Sequence, residues 1–230
     1  MMHHVRPYKI FGLMESPPAQ RTAKVTIPSR RGGGGTTLLE TMLIITASRV
    51  VAAKRIFEFG TFYGSNTLNL ALNAPDDAEI LTLDLDEKVA GQIEQHPADA
   101  PFTEIHLGSR RALDFVGNPV AQKVKTLTGN SITFDFSEWK ESVDFLFIDG
   151  GHDLRTVKSD TENALAMAAV KKPACIMWHD YSNKDYPELS GYLGELSEML
   201  EIFHVEDTML CVWFRDPEGM IERRLRGLEK

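Results

Sequence analysis

The stretch Arg55-Ile-Phe-Glu-Phe-Gly-Thr-Phe-Tyr-Gly64 joins a short apolar run to a turn that contains two glycines. An apolar run of this length followed by glycine is typical of a strand that ends in a tight turn. The next residues, Ser65 to Asn73, have a helical pattern. A strand, a turn and a helix in this order predict one unit of a parallel α/β sheet.

The same alternation continues along the chain and predicts the fold class. Further strands are predicted over residues 80–85, 124–128, 143–148 and 174–178, and further helices over 86–95, 153–170 and 189–200. Upstream, Thr37-Leu-Leu-Glu40 has the spacing of a helix capping box and predicts a helix over 37–53. Residues 202–205 and 209–214 predict a closing antiparallel strand pair. The expected fold is α/β: a doubly wound, Rossmann-like, mostly parallel seven-stranded sheet with a C-terminal antiparallel pair.

Length and charge suggest one domain preceded by an arm. The chain has 230 residues and a net charge of −8, which disfavours a nucleic-acid-binding protein. Residues 1–57 nevertheless carry nine Lys and Arg against two acidic residues, whereas residues 58–230 carry 16 against 31. We expect residues 1–35 to be a basic, extended arm with a glycine-rich hinge, and residues 36–230 to be the folded domain. The arm would dock on its own body or a dimer mate, or meet an acidic substrate.

Two further features bear on location. No apolar run approaches the ~20 residues that span a bilayer, and no secretory signal is evident. Cys175 and Cys211 lie in apolar strand-like runs, which predicts buried thiols in a reducing compartment. A cytoplasmic protein without membrane partners is therefore expected.

Polar residues gather where the predicted strands end, which is where open α/β sheets bind ligands. The first strand ends in the turn from Glu58 to Gly64, the second at Asp84, and the third at Gly129-Asn130-Ser131. A dinucleotide fingerprint needs glycines where this chain has Glu58 and Tyr63, which argues against an NAD-dependent oxidoreductase. The last two ends carry Asp149-Gly-Gly-His152 and His179-Asp180.

These motifs together resemble those of the class I S-adenosylmethionine-dependent methyltransferases. Within that family the sequence is most similar to the small-molecule O-methyltransferases that act on catechols and macrolide sugars. The resemblance covers about residues 36–214. Five segments carry it, in order: Glu58–Gly64, Leu81–Asp84, Thr128–Ser131, Phe147–His152 and Trp178–Tyr181.

The resemblance implies S-adenosylmethionine as the cofactor and a role for each strand end. The amino-acid end of the cofactor would lie at the first turn, the ribose at the second end, the adenine at the third and the methyl group at the fourth. The implied cofactor-binding residues are Glu58, Gly60, Thr61, Tyr63, Gly64, Asp84, Asn130, Ser131 and Asp149.

Methyl transfer to a hydroxyl needs an aligned oxygen and an acceptor for its proton. Asp149, His179 and Asp180 are predicted to form a divalent-cation site for Mg²⁺ or another divalent metal, and a hydrogen-bonded loop network is the alternative. His152 or His179 would be the general base, so His152, Asp149 and His179 are the expected catalytic residues. The acceptor is expected to be a small-molecule hydroxyl of a sugar or other diol.

Three alternatives remain open from sequence. One is an NAD-dependent oxidoreductase on the same sheet, which the glycine spacing disfavours. A metal-independent methyltransferase would use His152 alone. A non-enzymatic binding module would keep a vestigial nucleotide pocket and recruit a partner through the arm. A homodimer is expected by analogy with proteins in which such an arm covers a neighbouring site.

Overall fold

The computed structural model describes residues 2–15, 17, 21–26, 34–85, 95–103 and 113–227. These residues form eight strands: β1 (His3–Val5), β2 (Arg55–Phe59), β3 (Glu79–Asp84), β4 (Val124–Thr128), β5 (Phe145–Ile148), β6 (Ala174–Trp178), β7 (Phe203–Val205) and β8 (Cys211–Arg215). The α-helices of the described residues include α1 (Pro7–Gly12), α2 (Leu38–Val50), α3 (Ser65–Asn73), α4 (Leu154–Met167), α5 (Pro187–Leu196) and α6 (Met220–Leu225). The predicted helix over 86–95 lies, apart from residue 95, outside the described residues.

All strands belong to one sheet, in the order β1-β7-β8-β6-β5-β2-β3-β4. β8 runs antiparallel to both of its neighbours, and every other pair is parallel. From β2 the chain adds β3 and β4 on one side and then returns to add β5 on the other. This reversal opens a crevice between the carboxyl ends of β2 and β5, where such sheets bind ligands. The predicted α/β fold class is confirmed.

Each face of the sheet is covered by a separate apolar core, as a doubly wound fold requires. Alternate residues of one strand enter opposite cores: Leu146 and Ile148 pack with α4 and α5, whereas Phe145 and Phe147 pack with α2 and α3. The central strands β2, β3, β5 and β6 are buried on both faces, which explains their nearly continuous apolar sequence.

The sheet has eight strands instead of the predicted seven, and the extra strand comes from the N-terminal arm. Residues 3–12 were predicted to be extended, but they form β1, which pairs with β7, and α1. The reason is apolar burial: Val5 and Ile10 are 4% and 0% exposed and enter the core shared with α2. Further along the arm, Lys24 and Thr26 are hydrogen-bonded to side chains of α3.

Other differences are small. The helix predicted over 37–53 ends at Val50 as α2, and its capping box between Thr37 and Glu40 is formed. α5 begins at Pro187, two residues earlier than predicted, because proline suits the first turn of a helix. The sequence of residues 98–123 has no regular pattern and predicts an insert near the strand ends; the structure describes only its two ends, where 3₁₀ turns occur at 97–99 and 119–123. None of the described helices is both long enough and apolar enough to cross a membrane.

Candidate functional site

The turn after β2 lies against the turn after β5, and glycine makes this approach feasible. Gly60 has a φ of +91°, and a Cβ on it would lie 2.1 Å from the main-chain oxygen of Asp149. Gly64 has a φ of +75° and is the N-cap residue of α3. A side chain at Gly60 would therefore force the two loops apart, in addition to its backbone strain.

Glu58 points into the core beneath this turn. Its carboxyl accepts hydrogen bonds from Thr67 Oγ1 and, at 2.6 Å, from Thr82 Oγ1. Thr82 has a single O–H, so Thr61 donates to Thr82 across 2.7 Å. Burial raises the pKa of Glu58 to about 8, although both hydrogen bonds oppose the shift. Glu58 is 1% exposed, so it supports the glycine turn from within the core, through Thr61 and Thr67.

Asp84 ends β3 and holds the same turn from the other side. Its carboxylate accepts from Phe62 N at 3.1 Å and from Leu85 N at 2.9 Å. Phe62 has a positive φ of 46°, and its ring contacts that of Tyr63 at a centroid distance of 4.3 Å. A partly exposed carboxylate at this strand end suits an acceptor for ribose hydroxyls.

The end of β4 is connected to α4 through a buried carboxyl. Asn130 Oδ1 accepts from Ile132 N at 2.9 Å, which fixes the loop. Ser131 is hydrogen-bonded to Asp160, and burial raises the pKa of Asp160 to about 7. Within the described part of the chain, Asp160 Oδ1 has no hydrogen-bond partner.

Asp149, His179 and Asp180 are brought together at the ends of β5 and β6. One potential ligand atom from each lies within 4.8 Å of the other two. His179 Nδ1 is 3.3 Å from Asp149 Oδ1 and 2.9 Å from Asp180 Oδ2. Two carboxylates and an imidazole are a suitable donor set for a divalent cation, so these residues fit the metal that the sequence analysis predicted.

Neighbouring side chains contact both ring nitrogens of His152 and stack on its ring. Its Nδ1 is 2.8 Å from Asp99 Oδ1, and its Nε2 is 2.9 Å from Asp180 Oδ2. The Tyr186 ring stacks on the imidazole at 4.0 Å and 9°, and the Tyr186 hydroxyl donates to Asp99. Burial alone would lower the pKa of His152, but the two carboxylates outweigh it and raise that pKa to about 10. In this arrangement His152 is therefore a cation and not a free base.

Glu40 closes the cluster from the side of α2. Its Oε1 lies 3.5 Å from His179 Nε2, an ion-pair distance, and accepts a hydrogen bond from Met209 N. Its Oε2 accepts from Thr37 N. Burial opposes ionisation, yet His179 and the two backbone donors lower the pKa of Glu40 to about 2.

The imidazoles and carboxylates of the cluster stabilise one another's charged forms. Burial disfavours the charged form of His179, but Asp149, Asp180 and Glu40 raise its pKa well above the usual range. Burial likewise disfavours ionised Asp180, but His152 and His179 hold its pKa well below the usual range. Two imidazolium groups thus lie among carboxylates at the carboxyl ends of β5 and β6.

Four residues of this site were not identified from sequence. Glu40 was recognised only for its capping box, and Asp99 lies in the irregular stretch before β4. Tyr186 precedes α5 and carried no motif. Asp160 did carry a signal, because it occupies the buried stripe of α4 with Val157 and Ala164, where a carboxyl is unusual.

Comparisons with known proteins agree with this geometry. A family model described as a methyltransferase domain matches residues 57–181, more than half of the chain. Among curated proteins, none matches the sequence.

Solved structures share the fold at low sequence identity. A crystal structure described as a putative O-methyltransferase from Klebsiella pneumoniae is 18% identical, with a TM-score of 0.53, covering 79% of this chain and 82% of that one. A methyltransferase from Podospora anserina bound to S-adenosylhomocysteine is 17% identical, with a TM-score of 0.52 and 79% of each chain covered. An O-methyltransferase from Bacillus cereus, also bound to S-adenosylhomocysteine, is 18% identical, with a TM-score of 0.51, covering 79% of this chain and 83% of that one.

The family match spans the strand ends from the glycine turn to the His179-Asp180 pair, and the fold agrees with it. The chain therefore belongs to the methyltransferase domain family.

Proposed function

We propose that this methyltransferase transfers the methyl group of S-adenosylmethionine to a hydroxyl oxygen of a small molecule, a sugar or other diol, with the help of a divalent cation. The observation that carries the proposal is the contact between the Gly60 turn and Asp149, because it brings the glycine turn after β2 against the cluster of ionisable groups after β5. Two of the solved structures with this fold are bound to S-adenosylhomocysteine, which supports the choice of cofactor.

In this proposal each strand end binds a different part of the cofactor. Gly60, Thr61, Tyr63 and Gly64 form the turn around its amino-acid end, and Glu58 supports that turn from below. The partly exposed Asp84 carboxylate accepts the ribose hydroxyls. The loop with Asn130 and Ser131 borders the adenine, and Asp149 stands at the methyl end.

His152 is the group we propose to move the acceptor's proton. Asp99 holds Nδ1, so Nε2 is the nitrogen directed toward Asp180 and the strand-end crevice. With Nδ1 as the fixed donor, Nε2 is the atom that would take up the proton, and Asp99 would stabilise the resulting imidazolium. Because His152 is a cation in this arrangement, a base role requires that its contact with Asp180 open and that Nε2 release its proton to solvent before the acceptor reacts.

Asp149, His179 and Asp180 are the residues we propose as metal ligands, and His179 would release its Nδ1 proton to solvent on binding the metal. A divalent cation bound there would lower the pKa of the acceptor hydroxyl and fix its position. The metal-independent alternative keeps His152 as the base and leaves His179 as a structural ion-pair partner. Methyl transfer that persists after exhaustive chelation would favour that alternative.

The test is a calorimetric titration of the purified chain with S-adenosylhomocysteine, with and without Mg²⁺. We expect micromolar affinity for the wild type and a loss of about tenfold or more in Asp84→Asn, because a hydrogen bond to a charged group contributes about 1.5–3 kcal/mol. Asp77→Asn is the matched control, because Asp77 is exposed and pairs with Lys54 at the other end of the sheet.

Unchanged affinity in Asp84→Asn would show that the assigned cofactor site is wrong. Absence of binding by the folded wild type would overturn the proposed activity and favour the binding module. Gly60→Val is a poorer probe, because its side chain would collide with the main chain of the β5 loop whether or not a cofactor binds.

Location and assembly extend the proposal. Cys175 and Cys211 are buried free thiols, which supports a reducing compartment such as the cytoplasm. A homodimer remains a proposal by analogy, and nucleic acids and membranes are not among the proposed partners.

A further inference from the structure

The proposed metal ligands include a nitrogen, and this feature bears on which metal they select. This inference rests on the proposed metal site. Mg²⁺ prefers oxygen ligands in octahedral geometry, whereas imidazole suits transition metals. Here an imidazole lies between the two carboxylates, with Nδ1 at 3.3 Å from Asp149 and 2.9 Å from Asp180.

The orientation of the His179 ring is the second observation. The side chain of His179 is 4% exposed, and within the described residues its Nε2 has no hydrogen-bond partner. The nearest acidic group is Glu40, whose Oε1 lies 3.5 Å from Nε2. A histidine that binds a metal through one nitrogen usually directs its other N–H to a carboxylate or carbonyl, which fixes the ring and raises its basicity as a ligand.

Glu40 is itself fixed, so it can impose this orientation. It is 1% exposed, and its two oxygens accept hydrogen bonds from Thr37 N and Met209 N at 2.7 and 2.8 Å. These contacts tie it to the start of α2 and to the loop before β8. The Nε2 side of the His179 ring faces this fixed Glu40 carboxylate. The Nδ1 side is therefore directed toward the two aspartates.

We propose that Asp149, His179 and Asp180 form a site that selects a divalent transition metal over Mg²⁺, with Glu40 as the positioning residue that holds the His179 ring. Glu40 does not reach the metal in this arrangement. It acts through His179.

The test measures metal binding to the full chain after chelator treatment, with Co²⁺ and Mg²⁺ as calorimetric probes. His179→Asp converts the donor set to oxygens only, so the ratio of Co²⁺ to Mg²⁺ affinity should fall about 10–100-fold relative to the wild type. Glu40→Gln should weaken Co²⁺ binding by about 10–100-fold. Thr37→Ala is its matched control, because it removes the hydroxyl that caps α2 but keeps the Glu40 carboxylate, and it should leave Co²⁺ affinity unchanged.

A spectroscopic readout identifies the nitrogen directly. Pulsed electron paramagnetic resonance of bound Mn²⁺ should detect coupling to ¹⁴N in the wild type and in His152→Gln, but not in His179→Asp. If His179→Asp fails to fold, the wild-type and His152→Gln spectra and the Glu40→Gln titration still decide the question.

Three outcomes would overturn the inference. Wild-type binding of Mg²⁺ at least as tight as that of Co²⁺, or a ¹⁴N coupling that survives in His179→Asp, would refute it while leaving the proposed metal site in place. Failure of the wild type to bind any of the three metals, in protein that still binds S-adenosylhomocysteine, would refute the metal site as well and leave the cofactor assignment standing.

Discussion

At the scale of single residues, Glu58 shows how burial turns an acidic motif residue into an uncharged support. Its carboxyl is enclosed and accepts two threonine hydroxyls, so it organises the glycine turn from within the core. Its pKa is raised from 4.5 to about 8, chiefly by burial. The folded state therefore keeps a proton that the unfolded chain releases.

This difference predicts a pH dependence of stability. Between about pH 4.5 and 8 the folded state binds more protons at Glu58 than the unfolded state does, so its contribution to stability falls as pH rises, by a few kcal/mol in order of magnitude. In Glu58→Gln this loss should be absent, and the free energy of unfolding of the variant relative to the wild type should rise with pH. Urea denaturation at pH 5 to 8 measures it. Glu79→Gln, at a partly exposed glutamate paired with Arg55, is the control, and the same trend in both variants would contradict the prediction.

At the scale of elements, the N-terminal arm is partly integrated into the fold. β1 extends the sheet, and α1 buries Ile10 completely against the core of α2. Arg224 of α6 donates to the main-chain oxygens of Gly12 and Leu13, which fastens the end of α1. The N-terminal arm, although positively charged, therefore docks on the domain through apolar side chains.

Docking of α1 can be tested with two residues of the same helix. Ile10→Ala should lower the free energy of unfolding by about 2–5 kcal/mol, because it opens a cavity in a buried site. Tyr8→Ala should change it by about 0.5 kcal/mol or less, because Tyr8 is 61% exposed. Chemical denaturation compares them, and equal effects of the two substitutions would mean that α1 is not docked as described.

At the scale of the whole molecule, the site exists because the sheet order brings distant loops to one edge. Gly60 and Asp149 come from adjacent strands β2 and β5, although β3 and β4 separate them along the chain. Asp99 reaches His152 from the segment before β4, and Glu40 reaches His179 from α2. The function of the site therefore depends on the packing of both layers of helices.

Two glycine substitutions distinguish a glycine required by the contact between the loops after β2 and β5 from a glycine that only lowers helix propensity. Gly60→Ala should destabilise the fold and weaken S-adenosylhomocysteine binding at least tenfold, because its Cβ would meet the Asp149 carbonyl and its φ is positive. Gly194→Ala should stabilise the protein by about 0.5–1 kcal/mol, because Gly194 lies inside α5 with open space around its Cα. Thermal unfolding and calorimetry measure both effects. Wild-type behaviour of Gly60→Ala would show that the two loops are not in contact.

The sequence predicted the alternating strands and helices well because their signals are local. β2, β4, β6 and α3 have the predicted bounds, since apolar runs and turn residues act over a few positions. The eighth strand was missed because three residues at a sheet edge carry too little pattern, and β1 forms only where β7 offers a partner.

For the candidate site, sequence alone determined which polar residues end each strand, because the carboxyl ends of parallel strands share one edge. It did not determine what those side chains contact. Only the tertiary structure decided that Asp99 and Asp180 enclose His152, that Glu58 lies beneath its turn, and that Glu40 faces His179. These relations depend on burial and ring orientation, which arise when elements far apart in the chain pack together, so no local pattern records them.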